Sequence, residues 1–306
     1  MIYSPKNKEH TLLNVEIAAV ARYINWTYFF KTWRMSGKYD GIENLCLCDA
    51  CETAWLQKID AGKREKAKEA LKLLRDAQHL LAEISAEKSF SIKAVFQILQ
   101  VKSENEGIVF FAENQPVYIP MLRQQQESES GYFLSLADFV SPREDFVGVF
   151  AVSVAGSDEL REKIENDGYK ALLVQTLADR LAEATTEWLH EQIRKTHWGY
   201  APDENLTVDE LFKCEYQGIR PAVGYPSLPD QSVIFLLDKI LNFNQIGIKI
   251  TENGSMYPTA SVCGLMFAHP QASYFMIDKI GEDQLADYAR RRGFSVEELK
   301  KWYSPL

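Results

Sequence analysis

The chain has 306 residues, of which 46% are hydrophobic and 25% charged, and its formal net charge at pH 7 is −9. This composition is typical of a soluble globular protein, and the excess of acidic residues argues against a nucleic-acid-binding protein, which needs a basic face. No run approaches the roughly 18 uninterrupted apolar residues of a membrane span, and the N-terminus lacks the apolar segment of a signal peptide. We therefore expect a cytoplasmic protein with no membrane and no nucleic-acid partner.

The first 90 or so residues carry helical patterns. Apolar residues in 11–36 predict an amphipathic helix, which the polar, glycine-containing segment 37–41 interrupts. A second helix is predicted over 63–88, where apolar residues recur at spacings of three and four. The N-terminal part, about 1–90, is therefore predicted to be helical.

From residue 91 to about 153, short apolar runs rich in β-branched and aromatic residues replace the helical spacing. Such runs are typical of β-strands. The predicted strands cover residues 94–99, 108–111, 116–120 and 146–152.

The remainder mixes helices with short strands. A long helix is predicted from about Asp158 or Tyr169 to Lys195. Helices at both ends and mostly antiparallel strands between them predict an α+β fold in a single continuous domain, without the parallel alternation of a dinucleotide fold. After the long helix we predict a Pro/Gly-rich stretch at 218–230, a helix at 231–242, strands at 247–252 and 262–278, and a terminal helix at 282–292.

One loop carries a candidate binding residue. In the run from Arg220 to Pro226, two prolines and Gly224 restrict the backbone to a stiff, irregular path. Such a loop can hold the Arg220 guanidinium in a fixed direction, where its planar fork pairs with the carboxylate of an amino-acid-like ligand. The alternative, from these residues alone, is a turn with a surface salt bridge.

A row of acidic residues lies within the predicted long helix. Asp179, Glu183 and Glu187 follow one another at intervals of four, so they share one side of the helix. The row is either a solvated acidic edge or a strip that faces a cation, such as a sulfonium, an ammonium or a protonated imidazole.

The cysteines and histidines indicate no catalytic metal. Cys46, Cys48 and Cys51 resemble part of a thiolate site, but tetrahedral sites need four ligands and no fourth is evident. We interpret the three as reduced small hydrophobic residues, and the alternative is a metal or redox role. The five histidines lack the spacing of a zinc hydrolase. The sequence therefore predicts no metal site and no nucleophile of its own.

Taken together, segments along nearly the whole chain resemble the reactivation domain of cobalamin-dependent methionine synthase. The resemblance implies a C-shaped α+β domain over 1–306, with a central antiparallel sheet flanked by helices and S-adenosylmethionine (SAM) on its inner face. The segments that carry it are Tyr23-Ile24-Asn25-Trp26 with Phe29-Phe30, the runs 178–184 and 198–202, Arg220–Tyr225, and the runs 256–262 and 283–291.

The resemblance also implies roles for individual residues. Arg220, Gly224 and Tyr225 match the SAM-binding motif, and Asp179 matches an aspartate that meets the cobalt-ligand histidine after it leaves the metal. Asn25 stands where the family has a SAM-contacting aspartate, and a His-Thr-Glu-Lys stretch usual in the family is missing. The complete set of implied cofactor-binding residues is Asn25, Glu183, Arg220, Gly224, Tyr225, Tyr274 and Phe275.

The implied function is to present the methyl group of SAM to cobalamin, whose reduced cobalt is the nucleophile. The expected partners are a cobalamin-binding module or the remaining methionine synthase chain, and a flavodoxin-like electron donor. Relatives usually carry this domain at the end of a longer chain, whereas the resemblance here extends over nearly the whole sequence. We therefore expect a stand-alone subunit that reactivates a cob(II)alamin partner. Two alternatives stay open: an accessory protein for another corrinoid methyltransferase, and a relative that has lost SAM binding.

Overall fold

The computed structural model describes residues 2–35, 37, 39, 41–46, 48–113, 115–126, 131–164 and 167–303. The predicted break at 37–41 includes Lys38 and Asp40, which lie outside the described residues. Among the described residues, no helix combines the length and the apolar composition needed to cross a membrane.

A six-stranded antiparallel sheet forms the centre of the fold. Its strands are β1 (Thr11–Val15), β2 (Ser91–Glu104), β3 (Gly107–Phe111), β4 (Pro116–Pro120), β5 (Asp145–Ala155) and β8 (Ser261–Met266), and a separate pair consists of β6 (Lys249–Ile250) and β7 (Met256–Tyr257). The order is β4-β3-β2-β5-β8, and β1 pairs with β2. β2 has 14 residues, so one edge accommodates both β1 and β3 while β5 pairs with the other.

Helices surround this sheet. They are α1 (Ile17–Val20), α2 (Trp26–Thr32), α3 (Asp49–Gln57), α4 (Arg64–Glu87), α5 (Ser157–Lys163), α6 (Gly168–Gln192), α7 (Val208–Phe212), α8 (Val233–Leu241), α9 (Glu282–Arg292) and α10 (Val296–Trp302). A π-helical turn, Ile193–His197, continues α6. The predicted α+β fold with a central antiparallel sheet is confirmed.

Strand β5 explains how the sheet holds both layers of helices. Its nine interior residues are all buried, because both faces of the strand are covered. Phe150 belongs to the same hydrophobic cluster as Leu189 of α6, whereas its neighbour Val149 belongs to the same cluster as Leu237 of α8. This alternation is the period of two expected of a β-strand, and it places α6 on one face of the sheet and α8 on the other.

Residues 11–15 correct the first sequence prediction, because they form a strand rather than the start of a helix. Leu12 and Asn14 are exposed and alternate with the less exposed Thr11, Leu13 and Val15. This period of two matches a strand, and the free edge of β2 supplies the backbone partners. Helix α2 then supplies the expected helical structure, ending at Thr32.

The remaining elements were largely predicted, with corrections at their ends. The four strands predicted between residues 94 and 152, the helix at 63–88 and the terminal helix at 282–292 are confirmed. The long helix is divided into α5 and α6, and β6 is shorter than predicted. The strand predicted over 262–278 ends at Met266, and the chain through His269-Pro270 to residue 280 is irregular. Helix α10 was not predicted.

Candidate functional site

Helix α6 positions a row of carboxylates against neighbouring elements. Glu191 extends the predicted row of Asp179, Glu183 and Glu187 by one further step of four residues. Each carboxylate accepts a hydrogen bond from a different side chain: Gln175 Nε2 to Asp179 Oδ1 (2.9 Å), Tyr225 OH to Glu183 Oε1 (2.6 Å), Arg220 Nη2 to Glu187 Oε2 (2.5 Å) and Tyr23 OH to Glu191 Oε2 (2.5 Å). The row is therefore not a solvated edge. Two of its members bind residues of the predicted SAM motif.

Arg220 is the centre of this arrangement. Its guanidinium donates from Nη2 to Glu187 and from Nη1 to the Tyr216 hydroxyl at 2.7 Å. The backbone N–H of Arg220 donates to the Tyr274 hydroxyl at 2.9 Å. The Arg220 and Glu187 side chains are 16% and 5% exposed, so this is a largely buried ion pair and not the surface salt bridge of the alternative interpretation.

The loop after Arg220 has the irregular backbone that its prolines and glycine predict. Gly224 has φ +84°, and its N–H donates to the Leu228 carbonyl at 2.9 Å. A Cβ at this position would lie 2.6 Å from Gln231 Oε1, so glycine suits both the conformation and the space. The turn presents the side chain of Tyr225 towards α6, where its hydroxyl reaches Glu183.

The neighbours Tyr274 and Phe275 lie in different environments. Tyr274 is 42% exposed, and its hydroxyl lies 3.2 Å from that of Tyr216 beside Arg220. Phe275 is buried, with its ring centroid 6.3 Å from that of Phe139 and its N–H bound to Ser227 Oγ at 3.2 Å. The structure thus brings Tyr274 to the Arg220 site and places the Phe275 ring in the core.

Asn25 is the N-cap of α2. Its side-chain oxygen accepts a hydrogen bond from the Tyr28 N–H at 3.2 Å. Asparagine and aspartate cap helices about equally well, so the amide at this position preserves the local structure that an aspartate would give. Any effect of the missing charge is therefore separate from the folding of this segment.

A second layer of side chains behind Arg220 was not identified by the sequence analysis. Tyr216 packs edge-on to the His190 ring, with centroids 4.9 Å apart, and the Arg194 Cζ lies 4.2 Å from the Tyr216 ring centroid. Arg194 is fully buried and pairs with Glu204 through two hydrogen bonds, at 2.8 Å from Nε and 2.6 Å from Nη2. The only signal is a series of polar residues at helical spacing, from Glu187 through His190 to Arg194, and this spacing alone does not show that they are buried.

Burial dominates the electrostatics of this layer. It raises the pKa of Glu187, although the adjacent Arg220 opposes the shift. It also raises the pKa of Asp179. His190 is fully buried, and burial, reinforced by the positive charges of Arg194 and Arg220, lowers its pKa well below the ordinary value, so the ring is neutral at pH 7.

Three polar atoms of this layer have no hydrogen-bond partner among the described residues: Glu187 Oε1, His190 Nδ1 and Arg194 Nη1. Leaving a buried polar atom unpaired costs about 1–3 kcal/mol. The second oxygen of Glu187 lies on a carboxylate that already binds Arg220 through its first oxygen, so it is an unpaired, buried acceptor beside the ion pair.

The neutral, buried His190 leads to a pH-dependent prediction. Because its pKa is lower in the folded than in the unfolded chain, its contribution to stability is present above the unfolded value of 6.5 and is lost as pH falls below it. We expect His190→Gln to reduce the loss of unfolding free energy between pH 6.5 and 5 by up to about 1.4 kcal/mol per pH unit. Urea unfolding at several pH values measures this slope.

The control is His79→Gln, since His79 is exposed on α4. We expect it to retain the wild-type slope. Equal slopes for wild type and His190→Gln would contradict the assignment of a buried neutral imidazole at this position.

The cysteine triplet differs from its predicted environment. Cys46 and Cys48 are exposed and Cys51 is partly exposed, so the interpretation as small hydrophobic residues is wrong for the first two. The three sulfur atoms lie within 4.8 Å of one another.

Comparisons with known proteins identify the family. Residues 16–293 match the sequence model of the family described as vitamin B12 dependent methionine synthase, activation domain. The fold is similar to a crystal structure of the MetH reactivation domain bound to AdoHcy, with a TM-score of 0.88 and 35% sequence identity. This similarity covers 100% of the present chain and 92% of that domain. With its fold and sequence matched over most of its length, the chain belongs to the family of vitamin B12-dependent methionine synthase activation domains.

Proposed function

We propose that residues 1–306 form one activation domain that binds SAM between α6 and the loop from Arg220 to Tyr225. There it supports the reductive remethylation of cob(II)alamin carried by another module or protein. The observation that carries this proposal is the pair of contacts from the loop to α6, Arg220 with Glu187 and Tyr225 with Glu183. They hold the matched motif against an acidic helix in a chain 35% identical to a domain crystallised with AdoHcy.

The residues present fit the charges of SAM. The ligand has one carboxylate and two positive groups, the α-ammonium and the sulfonium. Arg220 would hold the carboxylate, and the unpaired Oε1 of Glu187 together with Glu183 would face the positive groups. The half-exposed rings of Tyr225 and Tyr274 would lie beside them, where aromatic faces attract cations.

The chain's own contribution is orientation. When bound, SAM supplies the methyl group that the reduced cobalt of the corrinoid accepts. The Arg220–Glu187 pair and the rigid loop would hold the ligand in one direction, and such positioning lowers the barrier of a transfer between two bound groups. Asp179 lies on the same side of α6, and we propose it as the partner of the displaced cobalt-ligand histidine.

An anaerobic reactivation assay tests this function. The protein is mixed with a cob(II)alamin-loaded methionine synthase module, SAM and a reduced flavodoxin, and the corrinoid spectrum is followed. We expect methylation of cobalt only when all four components are present. Equal methylation without the protein would contradict the proposal.

A parallel reaction replaces the methionine synthase module with another corrinoid protein. Methylation of that corrinoid protein, but not of the methionine synthase module, would assign the domain to a different corrinoid methyltransferase. AdoHcy added in excess is expected to inhibit, because it keeps the carboxylate and the ammonium of SAM but has no methyl group to donate.

A further inference from the structure

The start of α3 brings three thiols together. Cys48 is the N-cap of this nine-residue helix, and its sulfur accepts a hydrogen bond from the Cys51 N–H at 3.5 Å. Residues at the N-cap and three positions later normally approach each other, as in a capping box. The C-x-x-C spacing therefore places two thiols side by side through ordinary helix geometry.

The third thiol comes from the chain that enters the helix. Cys46 follows a short 3-10 helix, Ile42–Asn44, and its sulfur lies 2.9 Å from that of Cys48. All three sulfur atoms lie within 4.8 Å of one another. Thiolates bound to one tetrahedral Zn²⁺ at about 2.3 Å are about 3.8 Å apart, so small side-chain rotations bring these sulfurs to ligating distances.

The surroundings support a binding site rather than a packing role. Cys46 and Cys48 are exposed, so an ion reaches them from solvent. Helix α3 is anchored to α4 by an ion pair between Glu52 and Arg75, which fixes the position of Cys51. Among the described residues, no histidine, aspartate or glutamate adds a fourth donor to this cluster.

We propose that Cys46, Cys48 and Cys51 form a three-thiolate site for one Zn²⁺ ion, with the fourth position open to water or an external ligand. Thiolates select Zn²⁺ and Cu⁺ over Mg²⁺ and Ca²⁺, and a fourth position completes the tetrahedral geometry of Zn²⁺. Each thiol releases its proton to the solvent when it binds the ion, so the affinity falls as pH is lowered. The site is independent of the proposed SAM function, because it uses none of the SAM-motif residues.

The test uses the full chain, reduced and freed of metal. Zn²⁺ is titrated against a chromophoric chelator at constant pH, and Co²⁺ is added separately to detect the thiolate-to-cobalt charge-transfer band. We expect one equivalent of Zn²⁺ and a charge-transfer band in the wild type. Because even residues behind metal ligands affect affinity 10–100-fold, Cys48→Ser and Cys51→Ser should each weaken binding by at least about 100-fold.

Cys214→Ser is the matched control, since Cys214 is an exposed cysteine outside the cluster. It should bind Zn²⁺ like the wild type. The proposal would be overturned by no Zn²⁺ bound by the wild type, by the same affinity in Cys48→Ser, or by uptake of Cu⁺ but not Zn²⁺. Rapid formation of a disulfide within the triplet that Zn²⁺ does not slow would also overturn it, because it would assign the cluster to redox chemistry.

Discussion

Replacing Arg220 with alanine is expected to lower both the stability of the fold and its affinity for SAM. The change leaves the carboxylate of Glu187, which is 5% exposed, without its cation. Removing one partner of a buried ion pair costs about 3–5 kcal/mol. SAM affinity should fall by about 2 kcal/mol or more, or roughly 30-fold, because the ligand carboxylate also loses its guanidinium. Urea unfolding and calorimetric titration measure the two effects.

The pH dependence of the variant separates this mechanism from general damage. Arg220 opposes the rise in the pKa of Glu187, so its removal raises that pKa further. A carboxyl group whose pKa is raised by folding destabilises the fold at high pH and ceases to do so as it takes up a proton. The difference in stability between wild type and Arg220→Ala should therefore shrink as pH is lowered from 8 towards 5.

Two further variants make this prediction specific. Arg220→Ala combined with Glu187→Gln removes the unpaired charge, so it should recover part of the stability without recovering SAM affinity. Arg220→Lys keeps the charge but loses the planar fork, and we expect an intermediate affinity. SAM affinity equal to wild type in Arg220→Ala would remove Arg220 from the binding site.

Glu204→Ala is the second change with a large expected effect. Glu204 is the bidentate partner of Arg194, and the two side chains are 8% and 0% exposed. The variant leaves a fully buried guanidinium without a counter-ion, which should cost about 3–5 kcal/mol of unfolding free energy. SAM affinity should also decrease, because Arg194 packs against Tyr216 and Tyr216 binds Arg220.

The control for this change is Glu65→Ala. Glu65 pairs with Lys68 in an ion pair at the surface of α4, where the side chains are 83% and 56% exposed. Removing such a pair costs at most about 1 kcal/mol. If Glu204→Ala destabilised the protein no more than Glu65→Ala does, the Arg194–Glu204 pair would not support the site.

Much of the fold could be predicted because hydrophobic periodicity is local. The apolar run rich in β-branched residues in β5 and the spacings of three and four in α4 are visible in the sequence itself. Residues 11–15 were assigned to the wrong class because five residues fit either period. The pairing with β2 that decides between them comes from a segment about 80 residues away. Local patterns cannot report such a long-range partner.

The candidate site, like the fold, could be predicted only in part from the sequence. The sequence identified Arg220, Gly224 and Tyr225 by resemblance and the acidic row on α6 by its spacing, and the resemblance assigned Glu183 to the same site. It did not predict the direct contacts of Tyr225 with Glu183 and of Arg220 with Glu187. Tyr216, His190 and Arg194 were missed, since nothing in one sequence marks a polar residue as buried before the layers are packed. Phe275 lies in the core although its neighbour Tyr274 reaches the site, a difference that adjacency in sequence conceals.

A calorimetric titration of the wild-type protein with SAM tests the central claim most directly. We expect a single site with a dissociation constant in the micromolar range, accompanied by an increase in melting temperature when SAM is present. No heat of binding together with no thermal shift would contradict the claim that the contacts of Arg220 and Tyr225 with α6 form a SAM site in this chain.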